Sequence, residues 1–124
     1  MLAWGKPAYA DFLTEVQKMM HILQTLTQAM PFAEVFKHGD LSVELYQPVD
    51  EDLQQPHERD EIYLIISGEG VFNHNGTRRL FKAGDLIHVA KHVAHRFETF
   101  SPNFATWVIF YTADGEPFFT QGQL

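Results

Sequence analysis

What most limits the fold of this chain is the texture that sets in after Pro31: short β-type runs, cut at close intervals by turn residues. The runs read Ala33–His38, Leu41–Gln47, Ile62–Ser67, Gly70–His74, Thr77–Lys82, Leu86–Ala90, His95–Phe100 and Phe104–Thr112. Between them stand His38-Gly39-Asp40, Gly68, Asn75-Gly76, Ala83-Gly84-Asp85 and Ser101-Pro102-Asn103. Asn75-Gly76 is the strongest hairpin signal, because a type I′ turn requires positive φ at both central residues. Eight strands with no helical period between them predict an antiparallel sandwich, jelly roll or closed barrel. The run from Phe104 to Tyr111 is nearly continuous in apolar residues and predicts a strand buried on both faces. Phe118 and Phe119 beyond it are expected to pack on the domain or on a neighbour.

The segment before Pro31 has a different period. Between Tyr9 and Met30, the residues Phe12, Val16, Met19, Met20, Leu23 and Leu26 recur at gaps that place them on one helical face, with Pro31 as the stop. That face is expected to cover a sheet or a partner subunit. The organisation predicted is a helical segment over residues 1–31, packing on the barrel or a partner, and a barrel over residues 32–124. With 124 residues, the chain is long enough for one ordinary domain.

Composition removes several classes of function. The formal charge is -7 with no basic run, which disfavours a nucleic-acid partner. There are no cysteines, so disulfide frameworks, thiolate zinc sites, iron–sulfur clusters and thiol nucleophiles are all excluded. No stretch approaches the roughly 18 apolar residues of a membrane span, and no signal core follows Met1, so a soluble cytoplasmic protein is expected. Ser42, Ser67 and Ser101 lie in no nucleophile elbow, and Gly68-x-Gly70 lacks the third glycine and helix of a dinucleotide site.

Chemistry concentrates in two segments. The first is Gln55-Pro56-His57-Glu58-Arg59-Asp60-Glu61. On a strand Gln55 and His57 would share a face, but His57 and Glu61 would lie roughly 13 Å apart. Metal ligands sit at about 2.0–2.2 Å from one ion, so cooperation between those two requires the chain to reverse or bulge within Glu58–Asp60. The second segment runs from Gly84 through His88 and His92 to His95, which opens a strand. The β-branched, glycine-bounded context disfavours a helical ligand row, and His88 and His92 are read as structural or solvated.

These two segments resemble the paired motifs of the cupins. His57-x3-Glu61-x6-Gly68 is similar to the first, G-x5-H-x-H-x3,4-E-x6-G, and Gly84-x5-Ala90-x-His92-x2-His95-x3-Thr99 to the second, G-x5-P-x-G-x2-H-x3-N. The resemblance runs from about Glu34 to Thr112. It implies an all-β double-stranded β-helix, or jelly-roll, barrel behind an N-terminal helix, and a homodimer. It also implies one divalent metal ion (Fe, Mn, Ni or Zn) held through His57, Glu61 and His95, with Gln55 standing where the family has a further histidine. Val49, Ala90, His92 and Thr99 replace residues of the family's turns.

Two histidines and one carboxylate match the donor composition of the facial triad of non-haem iron enzymes. Strand parity places Tyr63 and Ile65 with Glu61, and Phe97 and Thr99 with His95, so Tyr63, Phe97 and Thr99 are the expected pocket residues. The function expected is a metal-dependent oxygenase or lyase acting on a small organic molecule, with Glu61 a ligand and proton acceptor. The alternatives are a binding or sensing barrel without turnover and a barrel that metal merely stabilises.

Overall fold

The computed structural model describes residues 17–118. Eight strands follow one another: β1 (Phe32–His38), β2 (Leu41–Tyr46), β3 (Asp60–Ser67), β4 (Glu69–His74), β5 (Thr77–Lys82), β6 (Leu86–Val89), β7 (His95–Phe100) and β8 (Ala105–Tyr111). They form a five-stranded sheet of order β1-β2-β8-β3-β6 and a three-stranded sheet of order β5-β4-β7. All pairings are antiparallel. Each expected run matches a strand to within two residues at either end.

The chain crosses repeatedly between the sheets, and small local devices make this possible. Gly68 (φ +90°) links β3 to β4, and a Cβ there would lie 2.6 Å from the Phe104 Cα. A Cβ on Gly70 would overlap the Thr99 carbonyl of β7. Asn75 (φ 51°) and Gly76 (φ 94°) both take positive φ, as the expected β4–β5 hairpin demands.

The side chains between the sheets form an aromatic core. Phe97 stands at its centre, with ring centroids 4.9 Å from Tyr63, 4.7 Å from Phe72, 5.1 Å from Phe81 and 4.6 Å from Phe104. Alternation along β3 buries Glu61, Tyr63 and Ile65 on the same inner face. In β8 full burial holds for one face only: Thr106, Val108 and Phe110 are buried, whereas Trp107, Ile109 and Tyr111 are half-buried.

The helix covers residues 17–25 within the described chain and stops short of Met30. The Thr25 hydroxyl donates to the Ile22 carbonyl, while Thr27 and Met30 pair with each other in a separate turn. Short polar side chains thus compete with the helical ladder before Pro31 is reached. Met19, Ile22, Leu23 and Leu26 form the half-buried face, and Met20 is 56% exposed. Tyr9, Phe12, Val16 and Phe119 lie outside the described residues. Phe118 is 78% exposed rather than packed on the domain.

Residues 47–59 contain no strand, yet they are firmly anchored. Asp52 is buried beneath them and accepts four hydrogen bonds. Its Oδ1 takes the Tyr46 hydroxyl at 2.6 Å and the Gln54 amide nitrogen at 3.1 Å. Its Oδ2 takes the Phe97 backbone N–H at 2.9 Å and the Gln54 side-chain Nε2 at 3.3 Å. The Arg96 guanidinium donates to the carbonyls of Asp52 and Gln54. One carboxylate therefore ties the loop to β2 and to β7.

Two stability changes follow from these contacts. Gly70→Ala forces a methyl group into the Thr99 carbonyl, and urea unfolding should record a loss of about 1–3 kcal/mol or more. A fully stable variant would contradict the β4–β7 register. Asp52→Ala strands the Tyr46 hydroxyl and the Phe97 N–H, with an expected cost of about 3 kcal/mol in the same assay. Asp52→Asn, which keeps acceptor capacity on one oxygen, should lose less. Equal stability of Asp52→Ala and the parent would remove the anchoring role.

Candidate metal centre

The two strands that carry the innermost polar groups belong to different sheets. Glu61 is the second residue of β3, on its buried face, between Phe110 of β8 and Val89 of β6. His95 opens β7 opposite His74. Across the barrel interior, His95 Nε2 lies 2.8 Å from Glu61 Oε1, and both side chains are almost fully buried. His57 comes from the loop, where its carbonyl accepts the His92 N–H at 2.8 Å. Bends at Glu58 and Arg59 supply the expected reversal, bringing His57 Nε2 to 3.9 Å from Glu61 Oε1. One ligand atom from each of His57, Glu61 and His95 lies within 4.8 Å of the others.

The hydrogen bonding around this cluster indicates what it can hold. His95 Nδ1 donates to the Val93 carbonyl at 2.8 Å, which leaves the Nε2 lone pair directed inward. Yet His95 Nε2 and Glu61 Oε2 are buried without a hydrogen-bond partner, and the close Glu61 contact lacks hydrogen-bond alignment. Two acceptor atoms facing one another in a dry interior repel unless a proton or a cation stands between them. Buried nitrogen and carboxylate donors with open lone pairs fit a divalent metal ion.

The surroundings tune each group differently. Burial lowers the pKa of His57 below its ordinary value, even though Glu61 acts in the opposite direction. Burial also pulls His95 down, but Glu61 and the Val93 carbonyl outweigh it and leave its pKa raised. Burial, aided by the Glu61 charge, pushes the Tyr63 phenol well up, so it remains a proton donor. Tyr63 Oη donates to Gln54 Oε1 at 3.1 Å.

His57 is the outer member. Its side chain lines an open cleft of about 530 Å³ together with Phe32, Glu44, Tyr46, Arg59 and Phe110. The His57 ring meets Phe110 edge-on at 4.9 Å, and the Arg59 guanidinium lies 5.0 Å from the centroid of the same Phe110 ring. Arg59 also donates to the Asp40 carbonyl at 2.8 Å. Burial and the neighbouring Glu34 raise the pKa of Glu44 at the cleft wall.

Several expected residues occupy other positions. Thr99 is exposed, not in the pocket: the β4–β7 register shifts between Val71 and Phe72, so Phe97 points inward while both Glu98 and Thr99 face out. Phe97 and Tyr63, expected on the inward face, point inward but are buried in the aromatic core and do not line the cleft. Gln55 is exposed at the cleft. Its predicted alignment with His57 assumed strand alternation, which the irregular 47–59 loop does not have. The amide beside His57 is instead that of Gln54, whose Oε1 lies 3.3 Å from His57 Nε2. His88 is half-buried near Tyr111, and His92 is exposed against Glu58 at 3.0 Å. Asp52, Gln54 and Arg59 were missed because their partners are distant in sequence or lie across a loop that carries no periodic signal.

Comparison with known proteins agrees with this architecture. The family model described as the cupin domain matches residues 42–111. An uncharacterised protein from Streptomyces coelicolor is 27% identical over 81 residues, covering 64% of this chain and 77% of its own. A solved cupin-2 domain-containing protein from Shewanella frigidimarina superposes with a TM-score of 0.58 at 15% identity, covering 73% of this chain and 89% of that one. A structure from Neisseria meningitidis reaches a TM-score of 0.60 at 18% identity, covering 76% and 95% respectively. At these identities the solved structures speak for the fold alone. The family match spans both segments that carry the ligand cluster, and the chain belongs to the cupin domain family.

Proposed function

We propose that this protein is a metal-dependent enzyme of the oxygenase or lyase type, acting on a small organic molecule. His57, Glu61 and His95 would hold one divalent ion (iron, manganese, nickel or zinc). The observation that carries the reading is the buried Glu61–His95 contact, with a free acceptor atom on each side and a third donor, His57, at the adjoining cleft. When bound, a divalent ion supplies Lewis acidity and, if redox-active, electron transfer.

The remaining roles belong to the chain's own residues. The cleft is of the size that takes a small molecule. Phe110, with Arg59 above it, offers an apolar wall and a cationic edge for orientation. Phe72 and Phe97 close the deep side against water, and the Tyr63 phenol keeps its proton at Oη beside Gln54. The family resemblance supports a homodimer, and a cysteine-free sequence suits the reducing cytoplasm.

Elemental analysis of the purified protein should show close to one equivalent of iron, manganese, nickel or zinc, and His57→Ala or Glu61→Gln should lower it at least tenfold. A metal-free parent that also takes up no added metal rejects the site. Oxygen uptake and product analysis across catechols, diketones and small carboxylic acids then test turnover. Metal retained without turnover across that panel would favour a binding or sensing protein over an enzyme.

A further inference from the structure

The amide nearest to the candidate metal centre belongs to a residue other than the one aligned with the family's missing histidine. We propose that the side-chain oxygen of Gln54, not that of Gln55, is the fourth protein donor to the metal ion. This rests on the reading of His57, Glu61 and His95 as ligands.

The orientation of the Gln54 amide is fixed from both ends. Its Nε2 donates to Asp52 Oδ2 at 3.3 Å, and its Oε1 accepts from the Tyr63 phenol at 3.1 Å. Flipping the amide would set an oxygen against the acceptor-only Asp52 carboxylate, and that contact fixes the orientation. Oε1 has a second lone pair, and His57 Nε2 lies 3.3 Å away. If His57 Nε2 carries a lone pair, as a metal ligand must, it and Gln54 Oε1 are two acceptors face to face. Without metal, a His57 proton on Nε2 makes this a hydrogen bond; with metal, the cation takes the place of that proton between the two atoms.

The backbone supports the same assignment. The Gln54 N–H is held by Asp52 Oδ1 at 3.1 Å and its carbonyl by Arg96 Nη2 at 3.3 Å. Asp52 itself is bonded to Tyr46 and to the Phe97 backbone. Gln54 is therefore held by hydrogen bonds to both its backbone and its side chain. Gln55 is exposed and follows a backbone without alternation. A neutral amide oxygen is a harder and weaker donor than the imidazole it replaces, which favours oxygen-tolerant ions.

The test uses metal-free protein and Co²⁺ alone, with affinity from calorimetry, the visible absorption of bound Co²⁺, and the rise in Tm on metal addition. Gln54→Met, similar in length but without the oxygen, should weaken Co²⁺ binding about tenfold or more and change the absorption spectrum. Gln55→Met should leave both as in the parent. Gln54→Glu places a second carboxylate beside Asp52, so the metal-free Tm should fall, yet the rise on Co²⁺ addition should exceed that of the parent. A purely structural Gln54 would show the fall without the larger rise. If Gln54→Met fails to fold, the Gln54→Glu comparison decides. Parent-like affinity and spectrum in Gln54→Met, while His57→Ala abolishes binding, overturns the Gln54 assignment and leaves the metal reading standing. Loss of affinity in Gln55→Met instead also overturns it. A parent that binds no Co²⁺ removes both.

Discussion

The contact between Glu61 and His95 is the constraint around which the rest of this barrel is arranged. A carboxylate this deeply buried is tolerated only with compensating charge or hydrogen bonds, since isolated ion burial costs several kcal/mol or more. Here the facing imidazole sits 2.8 Å away on a strand of the opposite sheet, and a proton or a cation between the two groups must supply that compensation. The pair therefore spans the interior, and the aromatic core packs behind it. Phe97, two residues beyond His95, meets Tyr63, two residues beyond Glu61, at 4.9 Å. The alternation that aims the polar pair inward is thus the same alternation that builds the apolar core.

The strands supply two of the candidate donors, but the third depends on a loop with no regular secondary structure. Backbone polar groups in such a segment need partners as much as those in a ladder do. Asp52 provides them from below, and the His92 N–H takes the His57 carbonyl from the side. His92 adopts φ +67°, a left-handed conformation that costs a non-glycine residue roughly 1 kcal/mol. It occupies the position where the family motif has glycine. Its ring lies 3.0 Å from Glu58, next to His57 in sequence, so the same residue contacts this loop through backbone and side chain.

Much of this was legible in the sequence because it depends on period and punctuation. The strands, the Asn75-Gly76 hairpin and the inward face of β3 all follow from alternation between turn residues. The need for a reversal at Glu58–Asp60 followed from the length of an extended residue. Parity failed where the backbone stops alternating. Thr99 lies past a shift in the β4–β7 register that no local sequence pattern announces. Gln55 lies in a loop whose conformation is set by hydrogen bonds from Tyr46, Arg96 and Phe97 to Asp52 or its backbone, contacts that span 6 to 45 residues. Phe118 does not pack on its own domain, for a simpler reason: hydrophobicity predicts a preference for burial, not which surface meets it.

Candidate donors on strands and candidate donors in the loop are held in different ways. Glu61 and His95 are fixed by ladder pairing on both neighbouring strands or by an edge of the inner sheet, so altering either disturbs a buried charge and the core behind it. Donors from the 47–59 loop are held by side-chain hydrogen bonds, which can be rebuilt around a different residue. A donor offered from such a loop needs an anchor of its own, and Asp52 supplies one to Gln54. The deep pair is built into the barrel's core, whereas His57 and Gln54 stand at the cleft beside it.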